Sequence, residues 1–328
     1  MLDLPEIPEP RVARTAAVAA GVADSIAYLA SDAALRSLAI DAYWPKWHSP
    51  WWHMLLLHEL GETHRIPGRV VTAMAAALDG LLHIFPVRPD EAPGANPQRD
   101  LACHCALGTM VPLLAACGVD IDRALPWVEP WFVRYQMADG GLNCDETAYA
   151  VTTECPSSMV ATVPALEAML GRPASPAQRA FVDRAAHFLI ERALVRGSPT
   201  VHNADERTHA PAWTELAFPR FYFYDVLRGL TALSRWAELT AQPLPAAAIA
   251  PVVASLSARF PDGVVRIGRQ AQTRHTSTVL PTADRSPSPR GPTTSFPLLD
   301  AVSVIGAPSE ALTRAWSATR ARLRALAV

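Results

Sequence analysis

The chain has 328 residues, half of them hydrophobic and 18% charged, and its formal net charge is −2. This composition allows a sizeable buried core, and the near-neutral charge gives no electrostatic footprint for nucleic acid. No run of about eighteen apolar residues occurs, so the sequence predicts no transmembrane segment. Five unevenly spaced cysteines do not form a disulfide scaffold. The proline-rich lead over residues 1–10 does not resemble a signal peptide, so we predict reduced thiols in the cytoplasm.

In chain order, apolar residues recur at three- and four-residue steps through most of the sequence, which predicts an all-α fold. Helices are predicted over 11–42, 50–61, 67–85, 101–117, 120–137, 155–170, 175–195, 218–239, 245–260 and 295–326. Two stretches without a strong period, 196–217 and 261–294, are predicted to be long loops. The best strand candidate is the short segment 264–268.

The most informative stretch is 136–171, which predicts the end of one helix, a polar loop with two cysteines and a second helix. Gly140 and Gly141 can supply the positive φ angles that close the first helix, and Pro156 suits a first helical position. Helices with similar starts and stops recur in pairs along the chain. Such recurrence predicts helix pairs that stack into a solenoid or a closed ring.

Residues 136–141, Gln-Met-Ala-Asp-Gly-Gly, and a following helix that ends in Leu-Gly resemble the repeat of protein prenyltransferase β-subunits and squalene–hopene cyclases. Segments 101–118 and 221–233 are similar to further copies. The resemblance covers 50–306 and implies one α/α toroid of five or six helix pairs over residues 1–328. It also implies a central cavity, with the N-termini of the inner helices and both long loops near one mouth.

The reaction does not follow from this resemblance, because the chain departs from both activities. Pro156, Ser158 and Tyr222 occupy the positions at which the prenyltransferase repeat has its zinc ligands. The Asp-x-Asp-Asp acid of the cyclases has no counterpart either. The resemblance therefore implies a fold and leaves the chemistry to the residues themselves.

The cysteines carry the first candidate chemistry. In a ring of this kind Cys103, His104 and Cys155 begin inner helices, and Cys144 lies in the loop that leads into one. Helix N-termini favour the thiolate, which is both a nucleophile and a metal ligand. We therefore predict a metal site of Cys103, Cys144 and Cys155, with zinc as the fitting ion, or a Cys/His pair. The wider set from which two to four residues could converge also includes Cys105, His104 and His202. The ordinary alternative is that small cysteines fill space between close helices.

Carboxylates supply a second possibility. Asp145 follows Cys144 in the polar loop, and Asp225 begins the most aromatic helix start in the chain. A carboxylate in a dry cavity mouth can act as a general acid or base. A solvated loop charge, or a helical pair between Asp225 and Arg228, is the ordinary alternative. The predicted catalytic residues are thus Asp145, Cys155, Cys144, His104 and Asp225.

Aromatic residues cluster near helix starts, which is typical of a lined pocket more than of evenly spread core fillers. Their faces can enclose an apolar ligand and attract a cationic intermediate. The predicted substrate-binding residues are Trp51, Trp52, Tyr149, Tyr222, Tyr224 and His202.

The leading functional hypothesis is an enzyme that acts on a hydrophobic small molecule, isoprenoids included, in the central cavity. It would use acid–base or thiol chemistry and resemble a cyclase or transferase. Two alternatives stay open: a zinc-dependent transferase or cyclase that acts on a thiol or peptide, and a non-catalytic helical module that holds a lipid or a partner protein. The sequence specifies no oligomeric state.

Overall fold

The computed structural model describes residues 4, 7, 9–87, 90–101, 103–270, 272, 277–284 and 288–326. Over these residues the chain is mainly helical, as the sequence predicts. The α-helices are α1 (Ala16–Ala30), α2 (Asp32–Ile40), α3 (Pro50–Glu59), α4 (Gly68–Asp79), α5 (Pro97–Asp100), α6 (His104–Ala116), α7 (Ile121–Ala124), α8 (Val128–Tyr135), α9 (Met159–Leu170), α10 (Pro176–Glu191), α11 (Ala204–His209), α12 (Val226–Thr240), α13 (Ala246–Arg259), α14 (Pro297–Val302) and α15 (Glu310–Ala325). Short 3₁₀ helices occupy Thr63–Arg65, Glu146–Ala150 and Ala210–Thr214.

The two predicted loops contain more regular structure than the sequence indicated. Within 261–294, β1 (Ser277–Val279) and β2 (Arg290–Pro292) form an antiparallel pair. The strand candidate 264–268 makes only an isolated bridge, between Arg266 and Pro308. The segment 196–217 contains α11 and a 3₁₀ helix. These elements are too short to produce a clear hydrophobic period, which explains why the pattern did not predict them.

Local capping sets where the central helices begin. Helix α9 begins at Met159, later than Pro156, because the Ser158 hydroxyl accepts the Ala161 N–H at 3.2 Å. Cys103 occupies the N-cap of α6 in an extended conformation. Side-chain oxygens at N-caps satisfy helix N–H groups that have no partner within the helix, which is why serine and aspartate are favoured there.

The centre of the molecule is built from helices that are buried on nearly every side. In α3, α6 and α9 the apolar residues cover the whole circumference, whereas α4 and α15 each keep an exposed polar face. Helices α6 and α9 approach so closely that a Cβ atom on Gly108 would lie 2.4 Å from the Pro164 carbonyl carbon. Helix α9 also contacts α10 and α12, and α6 also contacts α3. Buried helices therefore form a continuous packed series, covered by amphipathic ones.

The two ends of this series contact each other. Helix α1 packs on α14, and α12 packs on α15. The Arg14 guanidinium pairs with the carboxylates of Glu62, which follows α3, and of Glu310, which begins α15. Arg314 of α15 donates to the Glu59 carbonyl at 3.0 Å. The first and last helices thus both contact the region around α3.

Among the described residues, no single helix has both the length and the apolar composition needed to cross a membrane. The pair α1 and α2 satisfies that test only when taken together, and its two helices meet at a bend of 67°.

Candidate functional site

Three of the five cysteines converge. The sulfur atoms of Cys103, Cys105 and Cys144 all lie within 4.8 Å of one another, and we call these residues the thiol cluster. The Sγ atoms of Cys103 and Cys105 are 3.2 Å apart, and the Cys105 N–H donates to Cys144 Sγ at 3.4 Å. All three side chains are free thiols, and Cys105 is fully buried. Two segments that are far apart in sequence therefore supply one compact set of sulfur atoms.

The loop that carries Cys144 is held by buried hydrogen bonds. Asn143 donates from its side chain to the Pro156 carbonyl at 2.5 Å and accepts the Asp145 N–H at 2.9 Å. Its backbone N–H donates to the Tyr149 hydroxyl at 3.1 Å. Gly140, with a φ of 89°, lies against the Arg184 backbone at the turn before the loop, where a side chain would not fit. Cys144 is thus positioned by a rigid loop.

Hydrogen bonds within the thiol cluster shift the pKa values of its three thiols in opposite directions. The thiols of Cys105 and Cys144 hold the pKa of Cys103 well below its usual range, because both donate to its sulfur. The pKa values of Cys105 and Cys144 are raised well above theirs, mainly because each one's hydrogen bond to Cys103 favours its protonated form. Cys103 also lies at the N-terminus of α6, whose dipole favours an anionic sulfur.

A lysine surrounded by aromatic rings lies beside these thiols. Lys46 Nζ donates to the Tyr222 hydroxyl at 2.9 Å. The same atom lies 5.2–5.7 Å from the centroids of four rings, those of Tyr43, Trp44, Trp47 and Tyr222. Burial lowers its pKa, and the charges of Cys105 and Cys103 act in the opposite direction. Among the described residues Lys46 forms no ion pair with a carboxylate, and Cys105 and Cys103 are the groups whose charge acts on it.

A cavity of 440 Å³ opens against the cluster, and we call it the aromatic cavity. Its wall includes Cys103 together with the side chains of Tyr43, Trp44 and Trp51. The remaining lining is mostly apolar and comes from α2, α4, α6 and the segment before α6. One buried ion pair interrupts the apolar surface, where Arg99 Nε donates to Asp41 Oδ2 at 3.2 Å. Burial raises the pKa of Asp41 despite this partner.

His104 lies between Cys103 and Cys105 in sequence, yet its ring is engaged elsewhere. Trp131 Nε1 donates to His104 Nδ1 at 2.9 Å, and His104 Nε2 is 3.0 Å from the Tyr149 hydroxyl. Burial lowers the His104 pKa to about 4, so the ring is neutral and carries its proton on Nε2. Since Tyr149 also accepts the Asn143 N–H, His104 and Tyr149 support the loop that carries Cys144.

Asp145 and His202 form an exposed pair. Asp145 Oδ2 is 3.1 Å from His202 Nε2, and its other oxygen accepts from the Thr147 N–H and hydroxyl. Partial burial raises the Asp145 pKa, but the bonds from Thr147 and His202 outweigh it and leave that pKa below its usual value. Asp145 thus caps the 3₁₀ helix Glu146–Ala150, although Cys144 precedes it directly.

The structure does not bring Cys155 or Asp225 to the thiol cluster. Cys155 is half-buried and does not belong to the group of three sulfurs. The Asp225 side chain is fully buried, where it caps α12 through the Arg228 N–H at 2.8 Å and accepts from Arg220 Nε at 3.2 Å. The predicted pairing of Asp225 with the Arg228 guanidinium is also absent, because that group binds Glu167 at 2.6 Å. Asp225 is therefore a helix cap.

The predicted substrate-binding aromatics divide between the cavity and the core. Trp51 lines the aromatic cavity, and Tyr222 contacts Lys46 beside the thiols. Trp52 is completely buried against Tyr43 and Phe221. The buried Tyr224 donates its hydroxyl to the Leu194 carbonyl at 2.8 Å, so it is a core residue.

A second cavity, of 530 Å³, lies among α3, α6, α9, α12 and α15, and we call it the arginine cavity. Four arginines and two glutamates line it: Arg220, Arg228, Arg235, Arg314, Glu59 and Glu167. Most of these charged side chains form ion pairs or hydrogen bonds with other side chains or with the backbone. Glu59, for example, accepts the N–H groups of Arg220 and Phe221 at 2.8 and 2.6 Å. The cavity that most central helices share is thus charged, and the apolar one lies beside it.

Comparison with known proteins gives no match: no family model fits the chain, and no curated protein or solved structure is significantly similar to it. The resemblance to prenyltransferase β-subunits and cyclases accordingly stays a prediction. The site is defined by its geometry alone.

Sequence reasoning found part of this site and missed one residue. Cys105 was among the wider set of residues expected to converge, but the predicted metal site had Cys155 in its place. Lys46 was not singled out, although it lies within a run of tyrosine and tryptophan residues.

Proposed function

We propose that the protein is an enzyme that acts on a hydrophobic small molecule held in the aromatic cavity, with the thiol cluster as its reactive centre. One observation carries this proposal: Cys103 belongs to the cluster and also lines the cavity. A ligand in the cavity would therefore lie against a sulfur whose negative charge is stabilised by neighbouring donors.

The cavity has the properties of a small-molecule site. Its volume of 440 Å³ lies within the range of about 300–1,000 Å³ that is typical of ligand pockets. Aromatic and aliphatic side chains make most of the wall, which suits an extended apolar chain such as an isoprenoid. Asp41, Arg99 and Asp100 are the charged residues of the wall. The Arg99 side chain is only 4% exposed, and its Nη1 has no hydrogen-bond partner among the described residues. A ligand with an oxygen acceptor at one end would suit that wall.

We also propose that the helices form an α/α toroid of the kind found in prenyltransferases and cyclases. The packed series α3, α6, α9, α12 and α15 surrounds the arginine cavity, and Arg14 links both ends of that series. These contacts support closure of the ring. A cytoplasmic setting, in which the thiols stay reduced, is part of the same proposal.

Ligand binding can be tested with farnesol, an apolar isoprenoid alcohol, by thermal shift and by quenching of the cavity tryptophans. Two helix-ending glycines offer a matched pair of variants. Gly80 lines the aromatic cavity and Gly171 lines the arginine cavity, and a Cβ on either would meet no atom closer than 3.5 Å. We expect Gly80→Leu to abolish farnesol binding, because the new side chain occupies the apolar space, and Gly171→Leu to preserve it. Equal binding by wild type and Gly80→Leu would contradict the proposal.

Turnover can be tested by incubating the protein with isoprenoid alcohols and their diphosphates and following products by mass spectrometry. We expect a new product with wild type and with Cys117→Ser, whose thiol lies at the other end of α6. Cys103→Ser should abolish product while farnesol still binds. Binding without any turnover in wild type would favour the non-catalytic alternative, a module that holds a lipid.

A further inference from the structure

We infer that Cys103, Cys105 and Cys144 bind one soft metal ion of the zinc type, with one coordination position left for a ligand from the aromatic cavity. The binding of the ion follows from the thiol cluster alone. The assignment of the open position rests on the proposed function.

The spacing of the sulfur atoms fits a single ion. Zinc–sulfur bonds of about 2.3 Å in a tetrahedral site place the sulfurs roughly 3.8 Å apart. The cluster has one sulfur pair at 3.2 Å and all pairs within 4.8 Å. Changes of at most about 1 Å in the sulfur–sulfur separations would bring three such sulfurs onto one ion, and all three are free thiols.

The chemistry of the donors selects the ion. The group contains sulfur only, since the His104 ring is occupied by Trp131 and Tyr149 and the Asp145 carboxylate by Thr147 and His202. Thiolates favour zinc and monovalent copper over magnesium or calcium, which require oxygen ligands. Three protein ligands also leave one position free in a four-coordinate site, the arrangement found in catalytic zinc centres.

The surroundings provide the supporting contacts that a thiolate site needs. The Cys105 N–H donates to Cys144 Sγ, and Cys103 lies at the N-terminus of α6. Asn143 fixes the loop on both sides of Cys144. Such contacts around the ligands orient them and stabilise their charge. The cluster is therefore held in place before any ion arrives.

The charge balance also favours an ion. Three thiolates and one divalent cation carry one negative charge in excess, and the Lys46 ammonium, which no described carboxylate pairs, lies beside them. An ammonium there would balance this excess charge, in addition to its hydrogen bond to Tyr222 and its contacts with four aromatic rings.

The test measures metal directly. The reduced full-length chain, purified without a metal-affinity tag, should contain one zinc ion per chain by elemental mass spectrometry. Replacement with cobalt should give thiolate-to-cobalt charge-transfer absorption. Wild-type protein that binds neither ion, or that isolates with a disulfide between Cys103 and Cys105 under reducing conditions, would overturn the inference.

The five cysteines provide matched variants. We expect Cys105→Ser and Cys144→Ser each to weaken zinc binding by more than the roughly hundredfold that loss of a supporting contact around the ligands can cost, because each removes a ligand. Cys117→Ser and Cys155→Ser should bind as wild type does, because their sulfurs lie outside the cluster. Loss of zinc in Cys155→Ser with retention in Cys105→Ser would contradict the assignment.

A measurement on the wild-type chain covers the case in which a variant fails to fold. In the native protein a thiol-alkylating reagent, followed by peptide mass spectrometry, should leave the half-buried Cys103 and Cys144 unmodified until a zinc chelator is added. Unchanged labelling of these two residues after chelation would overturn the inference. Failure of farnesol binding with zinc present would instead reject the proposed function and keep the metal site.

Discussion

The two cavities differ in how their polar groups are used. In the arginine cavity Arg228 binds Glu167, Arg220 binds Asp225, and Glu59 accepts two backbone N–H groups. These contacts join helices to one another. Around the aromatic cavity the thiol cluster and Lys46 join few elements and carry charge without a carboxylate partner among the described residues. The comparison suggests separate roles: the contacts of the charged cavity join helices, and we propose that the apolar cavity holds the ligand.

The largest expected effect concerns the Glu167–Arg228 pair of the arginine cavity. Glu167→Gln leaves the Arg228 guanidinium, with a side chain only 6% exposed, without its anion. We expect a loss of about 3 kcal/mol in the free energy of unfolding, because removing one partner of a buried pair leaves an uncompensated charge. Urea denaturation measures it.

The control is Asp122→Asn, which removes a carboxylate that is 58% exposed from an equally buried arginine, Arg172. Its effect should stay below about 1 kcal/mol, since Glu129 still pairs with Arg172. If Glu167→Gln and Asp122→Asn lowered the free energy of unfolding equally, the Glu167–Arg228 pair would stabilise the fold no more than an exposed ion pair does.

The second-largest expected effect is a loss of folding stability at low pH. It comes from His53 on α3, a helix that contributes to the walls of both cavities. Burial lowers the pKa of His53 to about 3, so the folded chain keeps this ring neutral while the unfolded chain protonates it below about pH 6.5. Stability is therefore lost as the pH falls below that value, by about 2 kcal/mol from His53 at pH 5.

Denaturation at pH 7 and pH 5 measures this loss. His53→Gln should show a smaller difference between the two pH values than wild type. The exposed His64 gives the matched substitution His64→Gln, which should leave the difference unchanged. If His53→Gln lost as much stability between pH 7 and pH 5 as wild type does, the buried ring would be protonated in the folded chain.

The third effect concerns zinc affinity and the two cations without a carboxylate partner among the described residues. These are Lys46 beside the thiols and Arg235 in the arginine cavity. Lys46→Gln should weaken zinc binding about tenfold, because it removes the positive charge beside the thiolates. Arg235→Gln should not change it. Competition with a coloured chelator measures both affinities, and equal weakening would assign the effect to overall net charge.

The smallest effect concerns Asp145, which follows a cluster cysteine directly. Its carboxylate is 53% exposed and caps a short 3₁₀ helix. Asp145→Asn should cost less than about 1 kcal/mol of stability and leave zinc and farnesol binding unchanged. A large loss of turnover in this variant would restore the catalytic role that the sequence predicted for it.

Hydrophobic periodicity was sufficient to predict the helical class, because long helices such as α6, α9 and α12 repeat apolar residues at helical spacing. Helix starts were harder to predict. Pro156 suits a first helical position, but the Ser158 hydroxyl caps the chain two residues later. The short elements within 196–217 and 261–294 have too few residues to show a period.

The site was predicted in part. Cys103 and Cys144 were placed together, and Cys105 was one of the wider candidates, but Cys155 was chosen as the third metal ligand. Residues i and i+2 do not face each other within a helix. Cys103 is not helical, however: its ψ of 161° at the N-cap brings its sulfur next to that of Cys105. The backbone angle at this helix boundary thus helps to bring the two sulfurs together, and no sequence pattern reports that angle.

Asp225 illustrates the opposite case. Its aromatic neighbours suggested a cavity acid, yet the same residue type is also a favoured N-cap, and the structure uses it that way. Only the direction of the side chain separates the two roles.

Diffraction at the zinc absorption edge, from crystals grown with zinc and soaked with farnesol, tests the central claim most directly. The account predicts one anomalous peak bonded to the sulfurs of Cys103, Cys105 and Cys144, with farnesol density in the aromatic cavity against Cys103. Sulfur atoms that point apart, with no peak between them, would contradict it.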